Sequence, residues 1–131
     1  MSFTNENLNV LVTKAVLLGG DNERLQSENS LFDLRSREPY AFFTALIDNF
    51  MNQNIEVQCR VANATILMKS LEDTYSDKIY WQYTPDEIKD KIQAAGLNML
   101  IDKDSQIQRI AANIVSKVYI LRFRFGNKWE D

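Results

Sequence analysis

The chain has 131 residues, 45% apolar, 25% charged and 11% aromatic, which excludes a disordered protein and leaves one core-forming domain or a piece of a larger array. No stretch approaches the ~18 consecutive apolar residues of a membrane span, MSFTNENLNV lacks the basic and apolar regions of a secretory signal, and the single cysteine, Cys59, rules out an internal disulfide framework and fits a reducing compartment. Net charge is −3 with no histidine, so the usual general base and the commonest metal ligand are missing and whole-chain nucleic-acid binding is disfavoured.

Leu8, Leu11, Val12, Ala15 and Val16 recur at helical spacing and predict a helix over 5–18. Gly19-Gly20 ends it, because glycine tolerates the left-handed backbone of a helix C-terminus. Asp21 or Asn22 then caps a second helix, 22–36, with the weaker apolar set Leu25, Leu31, Phe32 and Leu34. Pro39 suits a first helical turn, and 39–51 carries the broad face Phe42, Phe43, Leu46, Ile47 and Phe50. Asn54 caps a fourth helix, 55–71, which is apolar almost all round and includes Cys59 as a buried, inert thiol. Residues 72–83, EDTYSDKIYWQY, read as a loop.

Thr84-Pro85-Asp86-Glu87 is the clearest start signal, with Thr84 and Glu87 at capping-box spacing. The helix that follows, 85–101, places Ile88, Ile92, Ala95 and Met99 on one stripe. Asp102-Lys103-Asp104 reads as a turn with too few oxygen ligands for a calcium loop. Ser105 and Gln108 repeat the capping-box spacing before a sixth helix, 105–121, striped by Ile107, Ile110, Ala111, Ile114, Val115 and Val118. Four glycines and two prolines agree with an all-helical, non-enzymatic chain. No phosphate loop and no zinc spacing is present. The sign of charge changes along the chain: 72–104 holds eight acids against four lysines, and 105–128 holds Arg109, Lys117, Arg122, Arg124 and Lys128 without an acid. Such a junction can steer a charged partner or form the solvated faces of adjacent helices.

Six helices with mostly short connectors group as three antiparallel pairs, 5–36, 39–71 and 85–121, beginning about 34 and 46 residues apart. Periodicity leaves stacked pairs and a compact bundle equally open. The last helix stays apolar and is followed by Phe123, Phe125 and Trp129 rather than by a polar cap. Either these aromatics fold back, or the chain is the N-terminal piece of a longer array. Trp81 and Trp129 read as inter-repeat core, and Arg122-Phe123-Arg124-Phe125 as a helix end packed on the next repeat.

Several segments carry a resemblance in their order: Asn22-Glu23-Arg24 before Ser27-Glu28, Pro39 with Phe43 and Leu46, Arg60-Val61-Ala62 leading to Leu67-Met68-Lys69-Ser70, Trp81 before Ile88 and Ile92, Ile107-Gln108 before Ala111-Ala112, and Phe125-Gly126-Asn127-Lys128-Trp129-Glu130. Together they resemble the N-terminal region of importin beta and the karyopherin-beta family, nuclear transport receptors built from HEAT repeats. Serine stands at 70 where the family motif has asparagine, and Gly126 where it has proline. The resemblance covers nearly all of 1–131. It implies a single domain with an all-α fold, a right-handed α-α superhelix of about three HEAT-type antiparallel helix pairs, probed from its concave face by partners.

The implied function is binding without chemistry and without a cofactor. In the family the N-terminal repeats bind the small GTPase Ran in its GTP form, through the second helix of each pair. That places Lys69, in the matched motif, first among the partner-binding residues, with Arg109, Asn113 and Lys117 on the last helix beside it. Cargo or adaptor and nucleoporins would engage repeats beyond this segment, in the cytoplasm, the nucleus and the nuclear pore. Neither nucleic acid nor membrane insertion is implied. An exportin-type karyopherin, or a helical-repeat scaffold or adaptor with no GTPase partner, is the alternative.

Overall fold

The computed structural model describes residues 4–18 and 20–125. Gly19 of the Gly-Gly stop, and 126–131 with Lys128 and Trp129, lie outside the described residues. The described chain forms α1 (Asn5–Thr13), α2 (Asp21–Arg37), α3 (Pro39–Met51), α4 (Val57–Glu72), β1 (Thr74–Tyr75), β2 (Lys78–Ile79), α5 (Tyr80–Tyr83), α6 (Asp86–Met99) and α7 (Ser105–Arg124). It falls into two compact units, one running to Leu67 and the other starting at Met68.

In the first unit, Thr4 caps α1: its hydroxyl oxygen accepts from the Asn7 amide at 3.0 Å. The predicted helix 5–18 is α-helical only to Thr13, and Lys14–Leu18 winds as a π-helix. No side chain caps α2, neither Asp21 nor Asn22, the two expected candidates; Gly20 is its N-cap, and Asp21 and Glu23 sit in the first turn, where acids favour the helix dipole. Glu38 is both the C-cap of α2 and the N-cap of α3, because the residue before a proline leaves helical geometry. Lys14 pairs with Glu23 at 3.6 Å, tying the α1 extension to α2.

The core of this unit is built on α3. Phe42, Phe43, Leu46, Ile47 and Phe50 are buried with Leu8 and Val12 of α1, Leu31 of α2 and Leu67 of α4. Phe42 and Phe43 meet edge to face, with centroids 5.4 Å apart. Of the weak apolar set of α2, Leu31 alone is buried; Leu25 and Phe32 are exposed. Asn54 does not cap α4. The amides of Cys59 and Arg60 bond to the Glu56 carbonyl, and Asn54 itself donates its amide to Asn52 Oδ1. The buried face of α4 includes Arg60 and Asn63 as well as apolar residues. Arg60 Nε donates to the Phe50 carbonyl at 2.9 Å, satisfying an acceptor in the last turn of α3. Asn63 Oδ1 accepts from Asn49 Nδ2 at 3.0 Å, and Asn63 Nδ2 donates to Asn9 Oδ1 at 2.7 Å.

In the second unit, the expected loop is a two-residue hairpin followed by a short helix. Thr74 pairs with Ile79 and Tyr75 with Lys78. Ser76, at φ +64°, supplies the positive φ that such a hairpin turn needs at its first central residue. Tyr83 donates its hydroxyl to Asp77 Oδ1 at 2.8 Å and holds that carboxyl below the usual carboxylate range. Thr84 does not cap α6: its buried hydroxyl donates back to the Tyr80 carbonyl, and Pro85 is the N-cap. The box expected from Ser105 and Gln108 does not form, because the N-cap lies one residue earlier. Asp104 caps α7 through the amides of Gln106 and Ile107, while Gln108 Nε2 donates to the Asp102 carbonyl at 2.6 Å.

α6 and α7 pack antiparallel, with Asp90 opposite Arg122 and Gly96 opposite Val115 and Ala111. Trp81, 1% exposed, is buried with Ile88, Ile92, Ile107 and Ile114.

Candidate functional site

The last turn of α4 reads Lys69-Ser70-Leu71-Glu72. Ser70 and Leu71 are buried, while Lys69 and Glu72 are exposed. Residues three apart share a helix face, so burial of 70 and 71 turns 69 and 72 outward together. On α7 the buried set Ile107, Ile110, Ala111, Ile114, Val118 and Leu121 follows helical spacing and leaves the opposite face to solvent. Arg109 and Asn113 are exposed on that side, and Lys117 is half-buried. Spaced four apart, the three line one side of α7, with Arg109 and Lys117 separated by about 12 Å along the axis.

Lys117 Nζ donates to Glu72 Oε2 at 3.0 Å. This ion pair brings Lys117 to the end of α4, one helical turn from Lys69. Arg109 and Asn113 lie farther back along α7, away from that carboxylate. Among the described residues, Lys69 and Arg109 have no ion-pair partner. The arrangement is two exposed cations, Lys69 and Arg109, with the half-buried Lys117 paired to Glu72. It offers charge-assisted hydrogen bonds to a carboxylate or an acidic protein surface. Glu72 is the residue the sequence reading passed over. Its signal was available: it lies three residues after Lys69, where the acidic block meets the helix that precedes it.

The other candidate residues divide into core and surface. Lys89 Nζ stands 4.8 Å from the Trp81 ring centroid and the Arg122 guanidinium 6.0 Å from it. Burial holds the Lys89 ammonium below the ordinary lysine range; Asp86 opposes that shift and Arg122 adds to it. Trp81 is therefore a core residue with two cations over it, 1% exposed to solvent. Cys59 is half-buried rather than buried, with the Thr13 hydroxyl 3.5 Å from Sγ. Phe123 and Phe125, expected to pack on a further repeat, are exposed on this chain. Among the described residues no cluster of three or more metal-ligating side chains occurs, and no helix is long and apolar enough to cross a membrane.

No family model matches the sequence, and no curated protein matches it. A solved structure, "Kap95:Nup1 complex", is similar with a TM-score of 0.77 and 21% sequence identity over 98% of this chain. The chain spans 16% of the length of that chain. Kap95 is a karyopherin of the importin-beta type, and the likeness shows the fold: an all-α fold of HEAT-type helix pairs.

Proposed function

We propose that this chain is a segment of a nuclear transport receptor, and that it binds the GTP form of the small GTPase Ran in nucleocytoplasmic protein import. The observation that carries the reading is the fold shared with a karyopherin along almost the whole chain. The cations of α4 and α7 support it: Lys69 and Arg109 are exposed, Lys117 is half-buried and paired with Glu72, and Asn113 adds an exposed amide on the same side of α7. The action is recognition and release, with no bond made or broken. By linkage, a GTPase that weakens cargo is weakened by cargo to the same degree. Cargo or adaptor and nucleoporins engage further repeats, so this segment alone binds without switching cargo.

Apolar side chains on both helices of the α6/α7 pair support the longer array. Leu97 on α6 and Ile101 just beyond its C-terminal end stand exposed, the latter 87% exposed. Ala112, Ser116, Tyr119 and Phe123 form a second exposed stripe on α7. A helix pair with two such faces is suited to stack against another.

The test is capture of Ran loaded with GTP or with GDP. Preferential capture of the GTP form is the expected result. Equal capture of both forms, or none, leaves the scaffold reading in its place. Lys69→Glu is expected to weaken capture of the GTP form roughly tenfold, since it reverses an exposed interfacial charge, with helical content by circular dichroism unchanged. Undiminished capture by that variant removes Lys69 from the site.

A further inference from the structure

From the Glu72–Lys117 pair we infer that Glu72 is a built-in competitor for the partner's carboxylates, an internal mimic of the acidic surface that this face receives. The inference rests on the proposed reading of the same face as a protein-binding surface.

The geometry is specific to this corner of the molecule. Glu72 ends α4 and receives Lys117 from α7 at 3.0 Å, the two side chains being 45% and 31% exposed. Lys69 lies three residues before Glu72, on the same face of the helix, and carries no ion pair among the described residues. One carboxylate thus satisfies one lysine and reduces the positive potential at the second. Both charges are in reach of water, so the pair is weak and open to exchange. A partner carboxylate arriving at Lys69 meets the negative charge of Glu72. It completes its contacts only when Lys117 turns from Glu72 to the partner. Binding is then a swap of one ion pair for another, and the discarded Glu72 lowers the affinity in proportion to the strength of its hold on Lys117.

The neighbouring pair, Arg122 with Asp90, provides a contrast. There the guanidinium also lies over the buried Trp81 ring at 6.0 Å, so it is held by packing as well as by charge. Among the described residues Lys117 has no such second restraint, and its release leaves the core untouched.

Two probes separate this inference from the reading on which it rests. The first is Ran in its GTP form, and the second is a poly-glutamate peptide titrated at low salt. Glu72→Gln keeps the size and the hydrogen-bonding capacity of the side chain and removes its charge. The expected result is about threefold tighter binding of both probes, with the gain largely lost when Lys117→Ala is added. If wild type ignores Ran in both nucleotide states but Glu72→Gln still tightens poly-glutamate, the GTPase reading falls and the competitor role stands. If Glu72→Gln leaves both probes unchanged, or weakens either of them, Glu72 is not a competitor and the inference is overturned. A weakening would make Glu72 an anchor that presents Lys117. Thermal unfolding of each variant is the control, and an exposed substitution of this kind is expected to leave it close to wild type.

Discussion

Asn63 sits fully buried on α4 with its amide spent in three directions: it accepts from Asn49, and donates to Asn9 and to the Cys59 carbonyl at 2.8 Å. Asn49 in turn donates to the Asn5 carbonyl at 3.1 Å. The chain of amides ties α1 and α3 to α4. Its members are cheap to bury only while all are paired. Asn63→Ala strands the Asn49 donor and the Asn9 acceptor and leaves a small cavity. The expected loss is about 2–4 kcal/mol of unfolding free energy, read by urea denaturation; a loss under about 0.5 kcal/mol would mean that the network contributes nothing. A second residue-scale prediction concerns Asp77. Its carboxyl is held low chiefly by the Tyr83 hydroxyl, so Tyr83→Phe is expected to raise it toward 3.8, read by carboxyl-carbon NMR. The sign follows from linkage. A depressed carboxylate stabilises the fold above its unfolded value and loses that contribution as pH falls through its folded value, so the variant should show a weaker acid dependence.

Helix pairing is decided at a few close approaches. At Gly96, a Cβ would lie 2.9 Å from Val115 Cγ2 and 3.1 Å from Ile114 Cγ2. Both neighbours are β-branched and stiff in a helix. Alanine is favoured over glycine within a helix by about 1 kcal/mol. Overpacking a tight contact costs about 1–3 kcal/mol, and here the contact decides the sign. Gly96→Ala is expected to destabilise by about 1 kcal/mol, a fall of several degrees in Tm. A rise in Tm would show that α6 and α7 can spread at no cost. Element boundaries were legible because helical periodicity is local. The stretch 39–51 is α3 to the residue, and the stripe of the last helix is buried on α7 except for the half-buried Val115, with Leu121 buried in addition. Caps were less legible. Thr84 and Ser105 have the right spacing, yet Pro85 and Asp104 are the N-caps, because the Thr84 hydroxyl is drawn to the Tyr80 carbonyl and the Asp104 carboxylate reaches two amides of α7. The hairpin at 74–79 escaped because its strands are two residues long and carry no glycine at the turn.

For the molecule as a whole, the balance between covered and uncovered apolar surface bears on function. Ile101, Tyr119 and Phe123 are 87%, 64% and 72% exposed, and none adds to the core of its unit. Replacing Ile101 and Phe123 together by glutamate should therefore leave the unfolding free energy within about 0.5 kcal/mol of wild type, while lowering the binding of an apolar dye. A large loss of stability would place both side chains inside a packed layer of this chain. The family resemblance itself rested on spaced motifs, and the fold shared with Kap95 supports that resemblance at the level of architecture.

Composition and periodicity were sufficient for an all-α chain and for most of the helix bounds, since both follow from which residues recur every third or fourth position. Lys69, Arg109, Asn113 and Lys117 were named through the family resemblance rather than through composition or periodicity, since neither distinguishes a partner-binding side chain from any other polar residue on the outward stripe of a helix. Folding in three dimensions supplied the rest. It selected Glu72 as the partner of Lys117 across 45 residues, buried Arg60 against the end of α3, joined four asparagines into one network and closed Gly96 against Val115. Those relations join residues far apart in the chain, and no spacing rule carries them, because the distance between two helices is a property of everything packed between and around them.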